Sequence, residues 1–176
     1  MLSPTPPTLS DGTKVVDLVN VNTREVQMRA LSDPELYELE MERIFGKIWV
    51  FLGHESEIPN SGDFVTRDMG SDSVLVTRDK SGEVHVLLNL CTHRGMRVST
   101  LDAGNTQIHT CIYHGWAFRP NGAFLGAPVE KETMHGKMMS KEELGLKKAR
   151  VTLYGGLIFA TWNIDGPSFE EFLGDA

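Results

Sequence analysis

The chain of 176 residues has only two cysteines and no long hydrophobic run. Two cysteines are too few for a disulfide-stapled secreted scaffold, and they suit a reducing compartment. The strongest apolar run, at 48–52, is far shorter than the about 20 residues that cross a bilayer. The N-terminus also lacks the basic start and apolar stretch of a signal peptide. We therefore expect a soluble, cytoplasmic protein.

Basic residues are scarce as well. The chain has 17 Lys and Arg against 24 Asp and Glu, a formal charge of −7. This balance argues against nucleic acid or an anionic membrane as a partner of the whole chain. The apolar content of 40% is sufficient to fill the core of one domain. We expect a flexible, proline-rich lead-in over 1–30 and a domain over 31–176.

The first regular element that the sequence predicts is a helix over 34–49. Ser32 and Glu35 have capping-box spacing, and Pro34 suits a first helical turn. Apolar residues recur at helical spacing and are expected to face the core: Tyr37, Met41, Ile44, Phe45 and Ile48.

Short strands separated by turns follow from residue 63 to residue 162. The predicted strands cover 73–78, 84–88, 107–111, 116–119, 123–125, 151–154 and 157–162. This spacing predicts a mainly β fold, a sandwich or barrel, rather than a parallel sheet. Short helices are expected at 140–144 and after Pro167, where Ser168 and Glu171 have capping-box spacing.

Both cysteines lie in matched Cys–His pairs. Cys91 and His93 form a C-x-H pair, and after 17 intervening residues Cys111 and His114 form a C-x-x-H pair. Two thiolates and two imidazoles can bind one metal ion tetrahedrally or share the two irons of a cluster. A zinc site is therefore an alternative, although paired zinc ligands usually have two to four residues between them.

The stretches CTHRGMRV and CIYHGWAF resemble the Rieske [2Fe–2S] motif of ring-hydroxylating oxygenase α subunits. Other stretches resemble the N-terminal half of such subunits: IFGKIWVFLGHESEIPNSGDFVTRDMG, VLLNLCTHRG, LDAGN and FEEFLGDA. The resemblance extends from about residue 30 to the end of the chain. It implies a β-rich Rieske domain with an N-terminal helix and short flanking helices, without the catalytic domain of an α subunit.

The resemblance also implies roles for individual residues. Cys91 and Cys111 would bind one iron, and His93 and His114 the other, with no catalytic residue in this chain. Neutral imidazoles make such a cluster less negative than four thiolates would, which raises its reduction potential. The other motif residues would surround the cluster: Arg94, Gly95, Met96, Tyr113, Gly115 and Trp116.

Three positions depart from the Rieske proteins of cytochrome bc complexes. Those proteins have two further cysteines, joined by a disulfide, and a serine where this chain has Met96, Tyr113 and Trp116. Without that disulfide and that hydroxyl donor, we expect a potential near the low end of the Rieske range, roughly −150 mV. Trp116 is interpreted as a packing wall over the cluster.

Oxygenases of this family also bind a mononuclear iron through two histidines and a carboxylate. The H-x4-H pair in this chain, His109 and His114, has Thr106 where an acid is expected, and it lies in a predicted strand and cluster loop. The remaining histidines are dispersed: His54, His85 and His135. His85 alternates into a strand, which favours a structural role. Mononuclear Fe(II) is therefore expected only in the catalytic domain.

The resulting hypothesis is an electron-transfer domain of an aromatic-ring oxygenase. It would accept NAD(P)H-derived electrons from a ferredoxin or reductase and pass them to a mononuclear iron for O₂-dependent hydroxylation. Its other partners would be the catalytic domain of the same or a neighbouring α subunit, and a β subunit. The alternatives are a free-standing Rieske-type ferredoxin and a zinc-stabilised binding module.

The charge around the motif differs from that of the whole chain. Residues 91–150 carry nine basic and five acidic side chains, a charge of +4, so the remainder carries −11. The basic residues near the motif are Arg94, Arg97, Arg119, Lys147, Lys148 and Arg150. They are either ordinary solvated charges or a surface that guides an acidic ferredoxin.

Overall fold

The structure is a computed structural model that describes residues 6–128 and 140–175. The chain forms two compact units, Met1–Lys47 and Ile48–Ala176. The division that we predict near residue 30 stays a prediction. Within the described residues, no helix is long and apolar enough to cross a membrane.

The first unit is built around a small leucine core. A 3₁₀ turn at Val15–Leu18 leads into an antiparallel ribbon, β1 (Val19–Asn20) and β2 (Glu25–Val26). A second 3₁₀ turn, Met28–Leu31, precedes helix α1 (Pro34–Glu40), which continues as a π-helical turn, Met41–Phe45. The core of this unit consists of Leu9, Leu18 and Leu36.

The predicted helix over 34–49 is confirmed only as far as Phe45, and the chain leaves the helix at Gly46. Its cap is Asp33, whose side chain accepts a 2.9 Å hydrogen bond from the Glu35 N–H, so the expectation for Ser32 is wrong. A carboxylate adjacent to the first turn satisfies an orphan N–H and complements the helix dipole.

The core face predicted for this helix is also wrong in part. Leu36 is the buried residue of α1, because a helix of two turns against a core of three leucines buries little more than one position. The residues that we expected in the core are exposed or half-buried: Tyr37, Ile44 and Phe45 are exposed, and Met41 and Ile48 are half-buried.

The described residues of the second unit form antiparallel sheets, as predicted. Their strands are β3 (Val50–His54), β4 (Asp63–Met69), β5 (Asp72–Arg78), β6 (Val84–Leu88), β7 (Ala103–Asn105), β8 (His109–Thr110), β9 (Ala117–Phe118), β10 (Phe124–Gly126), β11 (Arg150–Tyr154) and β12 (Leu157–Thr161). A central sheet has the order β6-β5-β4-β7, a second sheet β11-β12-β3, and a small sheet β10-β9-β8.

The sequence located most of these strands to within one or two residues. The hairpins around 79–83 and 155–156 are confirmed. Strands β3, β4 and β7 are missing from the prediction, which ends the helix at residue 49 and names no strand over 50–54, 63–69 or 103–105. The short helix expected at 140–144 is instead a turn, closed by a hydrogen bond from Leu144 N–H to the Ser140 carbonyl. Helix α2 (Phe169–Leu173) has the predicted capping box of Ser168 and Glu171.

The central sheet is buried on both faces. Along β5, Val74 and Val76 pack into one core with Ile158 of β12, and Leu75 packs into another core on the opposite face. The second core contains Phe118 of β9, Trp116 and both cysteines. Because strand side chains alternate between faces, the apolar run of β5 fills both cores. The core that contains the two cysteines therefore lies on one face of the central sheet, and the core that contains Ile158 packs against the opposite face.

Candidate metal centre at two matched loops

The two Cys–His segments fold into loops of the same hydrogen-bonding pattern. In loop 1 (residues 91–96), the Cys91 N–H donates to the Met96 carbonyl at 2.8 Å, and the Gly95 N–H donates to the Cys91 carbonyl at 2.8 Å. In loop 2 (residues 111–116), Cys111 bonds to Trp116 at 2.8 Å, and Gly115 to Cys111 at 2.9 Å. Each loop therefore presents a cysteine at its base and a histidine at its turn.

A glycine closes each loop in the left-handed region, with φ of +71° at Gly95 and +70° at Gly115. L-residues with a Cβ rarely adopt this conformation, so the glycines permit the tight turn. The surroundings of the two glycines differ. A Cβ at Gly95 would meet no atom within 4 Å, but one at Gly115 would lie 2.8 Å from Cγ of Pro128.

The two cysteines are buried side by side without a disulfide. Their exposed fractions are 3% for Cys91 and 1% for Cys111. Burial, with a smaller contribution from the Cys111 thiol, raises the pKa of Cys91 to about 11, although backbone N–H groups of His93 and Arg94 oppose the rise. A cation at this position would reverse that preference, because a coordinated thiol loses its proton.

The two histidines form a second pair beside the cysteines. The ring centroids of His93 and His114 are 4.6 Å apart, with planes at 73°. His93 is half-buried, its Nδ1 atom is buried, and His114 is exposed. Tyr113 covers the His114 ring at 3.9 Å, and Trp116 stacks on His93 at 4.8 Å. Trp116 is buried, so its predicted packing role agrees with its position.

The donor atoms are divided into a sulfur pair and a nitrogen pair. A single tetrahedral zinc would bring its donors within about 3.3–3.8 Å of one another. In the part of the chain that the structure describes, no three donors of these two loops lie within 4.8 Å of one another. Two buried thiols and two adjacent imidazoles in separate pairs suit two metal ions, so the donor set fits a [2Fe–2S] cluster better than one zinc ion.

The sequence did not identify the side chains that brace loop 1. Asn89 is fully buried, and its amide donates to the Ser99 carbonyl and accepts from the Ser99 N–H, both at 2.9 Å. Thr92 Oγ1 donates to the Leu144 carbonyl at 2.7 Å. One signal was available for Asn89, because it interrupts the apolar run VLLNL.

The remaining motif residues lie at different depths. Met96 packs against the core that contains the cysteines, and Arg94 and Tyr113 are exposed. Arg97 is also exposed, in an antiparallel bridge with Leu90 at the base of loop 1. Arg94 in loop 1 and Arg97 directly after it are therefore both exposed to solvent.

The other cationic residues suggested by the sequence are placed elsewhere or have structural contacts. Arg119 follows β9 at the end away from loop 2 and borders the same cavity as Lys80. Arg150 donates to the carbonyls of Asn163, Ile164 and Gly166, and Lys147 lies over the Trp162 ring at 4.6 Å.

The other histidines of the described residues have structural positions. His109 lies in β8 with its ring 5.1 Å from Phe64, and burial lowers its pKa to about 4. His54 caps a short 3₁₀ turn by accepting from the Ser56 N–H. His85 contacts the Asp79 carboxylate at 2.9 Å, in agreement with its predicted structural role. His135 lies outside the described residues.

One carboxylate–histidine group occurs away from the loops. Among the described residues, Asp79, Glu83 and His85 are the one set of three or more His, Cys, Asp or Glu side chains whose ligand atoms lie within 4.8 Å. It contains one histidine and so differs from a two-histidine, one-carboxylate iron site. Asp79 also accepts from the Ser81 and Glu83 N–H groups, so this set braces a hairpin.

Comparison with known proteins shows that both loops lie within a region shared with a known protein family. The family model of the Rieske [2Fe–2S] domain matches residues 48–149, a range that contains both loops. The α subunit of biphenyl 2,3-dioxygenase from Rhodococcus jostii (strain RHA1) is 46% identical over 162 residues, covering 92% of this chain and 35% of the relative. The α subunit of an N,N-dimethyl phenylurea N-demethylase from Sphingobium sp. (strain YBL2) is 47% identical, covering 81% of this chain and 31% of the relative.

A solved structure shares the same fold. Naphthalene 1,2-dioxygenase from Rhodococcus sp., in a crystal with bound indole, superposes with a TM-score of 0.79 at 42% identity. The match covers 85% of this chain and 34% of the dioxygenase chain. The chain thus spans about a third of the length of the relatives it matches.

Proposed function

The chain belongs to the Rieske [2Fe–2S] domain family, and from this premise we propose that its two loops hold a [2Fe–2S] cluster used for electron transfer. Cys91 and Cys111 would bind one iron, and His93 and His114 the other. The observation that carries this assignment is the pairing of two buried thiols with two adjacent imidazoles across loops of identical hydrogen bonding.

The residues of the two loops have distinct tasks in this proposal. A bound cluster supplies reversible one-electron chemistry. The buried cysteines would hold an iron and shield it from water and competing ligands, because their thiols are almost fully buried. The half-buried His93 is held between Trp116 and His114, so its ring is fixed. The exposed His114 presents the edge of the site to solvent and to a docked partner.

We also propose a role for this domain within a longer oxygenase, on the basis of the names of its relatives. They are named as α subunits of a biphenyl 2,3-dioxygenase and of an N-demethylase. We place this domain between a ferredoxin or reductase that receives electrons from NAD(P)H and a mononuclear iron site in a catalytic domain. The products would be hydroxylated aromatic compounds formed with O₂.

The proposal also includes partners and location. The electron acceptor would be the catalytic domain of the same or a neighbouring α subunit, and the subunit names of the relatives suggest further subunits such as β. The location that we propose is the cytoplasm, because the two cysteines form no disulfide with each other and the proposal uses both as iron ligands.

The direct test is the metal and sulfide content of the purified chain together with its absorption and EPR spectra. We expect about two irons and two acid-labile sulfides per chain, visible absorption bands and an EPR signal after reduction. The variants Cys111→Ser and His114→Ala should lose the cluster. The variant His85→Gln is the matched control and should keep it, because His85 braces a hairpin outside the loops.

The same measurements separate the alternatives. One zinc per chain without iron or sulfide would show that the loops form a zinc site, and it would contradict the electron-transfer proposal. Full iron and sulfide in Cys111→Ser or His114→Ala would show that the ligand assignment is wrong even though a cluster is present.

A further inference from the structure

Trp116 links the two loops through its ring and its backbone. Its carbonyl accepts from the Cys111 N–H at 2.8 Å, which fixes the residue to the base of loop 2. Its ring reaches loop 1 and lies parallel to the His93 imidazole, with 5° between the planes and 4.8 Å between the centroids. One residue therefore joins a cysteine of one loop to a histidine of the other.

The Trp116 ring is itself held in place by the core. It is 3% exposed and contacts the Phe124 ring at 4.8 Å and the Phe118 ring at 6.5 Å. Phe118 and Phe124 are register partners on β9 and β10, and their rings are 5.8 Å apart. The indole therefore has little rotational freedom, and a ring stacked on it inherits that restriction.

The other ligand histidine lacks a wall of this kind. His114 is exposed, and its aromatic neighbour Tyr113 is itself 56% exposed. The two imidazoles therefore differ in their support, since His93 lies against a buried indole and His114 lies at the surface.

From this asymmetry we infer that Trp116 is a positioning residue, which sets the ring orientation of His93 and thereby the geometry of one of the two histidine–iron bonds. The inference rests on the proposed cluster and assigns to Trp116 a task beyond packing. Loss of the indole removes the surface on which the His93 ring is stacked, whereas the Tyr113 ring beside His114 stays in place.

The test uses the cluster-loaded chain and the ¹⁴N hyperfine couplings of its two iron-bound imidazoles, measured by pulsed EPR after reduction. In Trp116→Leu we expect one coupling to shift or broaden and the other to stay at its wild-type value. Trp116→Phe, which keeps a smaller ring, should give an intermediate change. Cluster loss to a chelator should be about two- to tenfold faster in Trp116→Leu, the factor expected for one stacked aromatic pair.

Phe64→Leu is the matched control. It removes an aromatic ring from the same core, where Phe64 contacts the His109 ring, so both couplings should keep their wild-type values. Wild-type couplings in a fully loaded Trp116→Leu chain would overturn the inference. An equal disturbance in Phe64→Leu would also overturn it, because general loosening of the core would then explain the effect.

Two further outcomes are separable. Where Trp116→Leu does not retain a cluster, Trp116→Phe decides, and an unchanged pair of couplings in that variant contradicts the inference. A wild-type chain without iron, or without imidazole couplings, contradicts the proposed function instead of the role of Trp116.

Discussion

At the scale of single residues, the loops depend on polar side chains that bond inward. Asn89 has no exposed surface. Its side-chain NH₂ donates to the Ser99 carbonyl and its side-chain oxygen accepts from the Ser99 N–H, which braces loop 1. A buried amide of this kind is stabilising only while its partners are present, because an unsatisfied polar group in the core is costly. An asparagine on the surface contributes far less to the free energy of unfolding, because water can replace its hydrogen-bond partners.

Asn89→Ala should lower the free energy of unfolding by about 2–3 kcal/mol, since it leaves the Ser99 N–H and carbonyl without their buried partner. Urea unfolding followed by circular dichroism measures the change. Asn105→Ala is the control, because Asn105 also makes two side-chain hydrogen bonds but is exposed. We expect a loss below about 1 kcal/mol there. Equal losses in the two variants would contradict this argument.

Asp79 provides a prediction about pH. Burial alone would raise the pKa of Asp79, but hydrogen bonds from Ser81, His85 and the Glu83 N–H outweigh it and lower the pKa from 3.8 to about 2. A carboxyl whose pKa is lowered by folding stabilises the folded state above its unfolded pKa, and that contribution is lost as the pH falls through its folded pKa.

The stability gap between wild type and Asp79→Ala should therefore be about 1–2 kcal/mol from neutral pH down to about pH 4, and should shrink toward pH 2. Urea unfolding at several pH values measures the gap. Ser81→Ala, which removes one of the bonds, should show a smaller gap with the same pH dependence. A gap that stays constant between pH 4 and pH 2 would show that the ionised carboxylate is not responsible.

At the scale of elements, the sequence predicts the strands and turns that a local residue pattern specifies. It misses strands that form only because a distant part of the chain pairs with them. Hairpins such as 79–83 follow from turn residues between alternating strands, and both strands were located. Strand β3 carries apolar residues that suit a helix as well as a buried strand. Its strand identity comes from pairing with β12, whose residues lie 103 to 110 positions later in the chain, and no local pattern encodes that partner.

The candidate site shows the same division. The four candidate ligands stand out by their spacing, and the structure pairs Cys91 with Cys111 and His93 with His114. The roles of Asn89 and Pro128 depend on contacts across the loops, and neither forms a recognisable motif. The cap at Asp33 instead of Ser32 is a smaller case, because both residues are good caps and the backbone decides between them.

The two loop glycines give a matched comparison at this scale. Gly95→Ala should lower stability by about 1–2 kcal/mol, the backbone cost of placing a Cβ residue in the left-handed region. Gly115→Ala pays the same cost and adds a clash with Pro128, which contributes about 1–3 kcal/mol more.

Thermal unfolding and the iron content per chain measure the two effects of these substitutions. We expect Gly115→Ala to have the lower melting temperature and the lower cluster occupancy. If Gly95→Ala were the more damaging substitution, the contact with Pro128 would not be what constrains loop 2.

At the scale of the whole molecule, the formal charge of −7 hides a local excess of the opposite sign. The basic side chains near the Cys–His motif have different surroundings in the structure. Arg94 and Arg97 are exposed in and directly after loop 1, but Arg150 donates to carbonyl groups and Arg119 follows β9 on the cavity that Lys80 also lines. A docking surface for an acidic electron donor is therefore expected at loop 1.

Arg97→Glu should slow reduction of the cluster by an acidic ferredoxin about three- to tenfold at low ionic strength, because a charge at the rim of an interface mainly affects the association rate. The difference should fade above about 0.5 M salt. Stopped-flow absorption measures the rate. Arg119→Glu changes the charge equally and should react like wild type. Rates independent of both Arg97 and salt would exclude steering.

The position of the loops on a sheet packed from both sides has a consequence for the energetics of electron hand-over. In the proposed site, four ligands held by paired backbone hydrogen bonds on a close-packed base would shift little when the charge of a bound cluster changes, so the inner part of the reorganisation energy would be small. The larger outer part comes from water around the exposed His114. A partner that covers His114 removes that water and thereby lowers the activation barrier at the moment of docking.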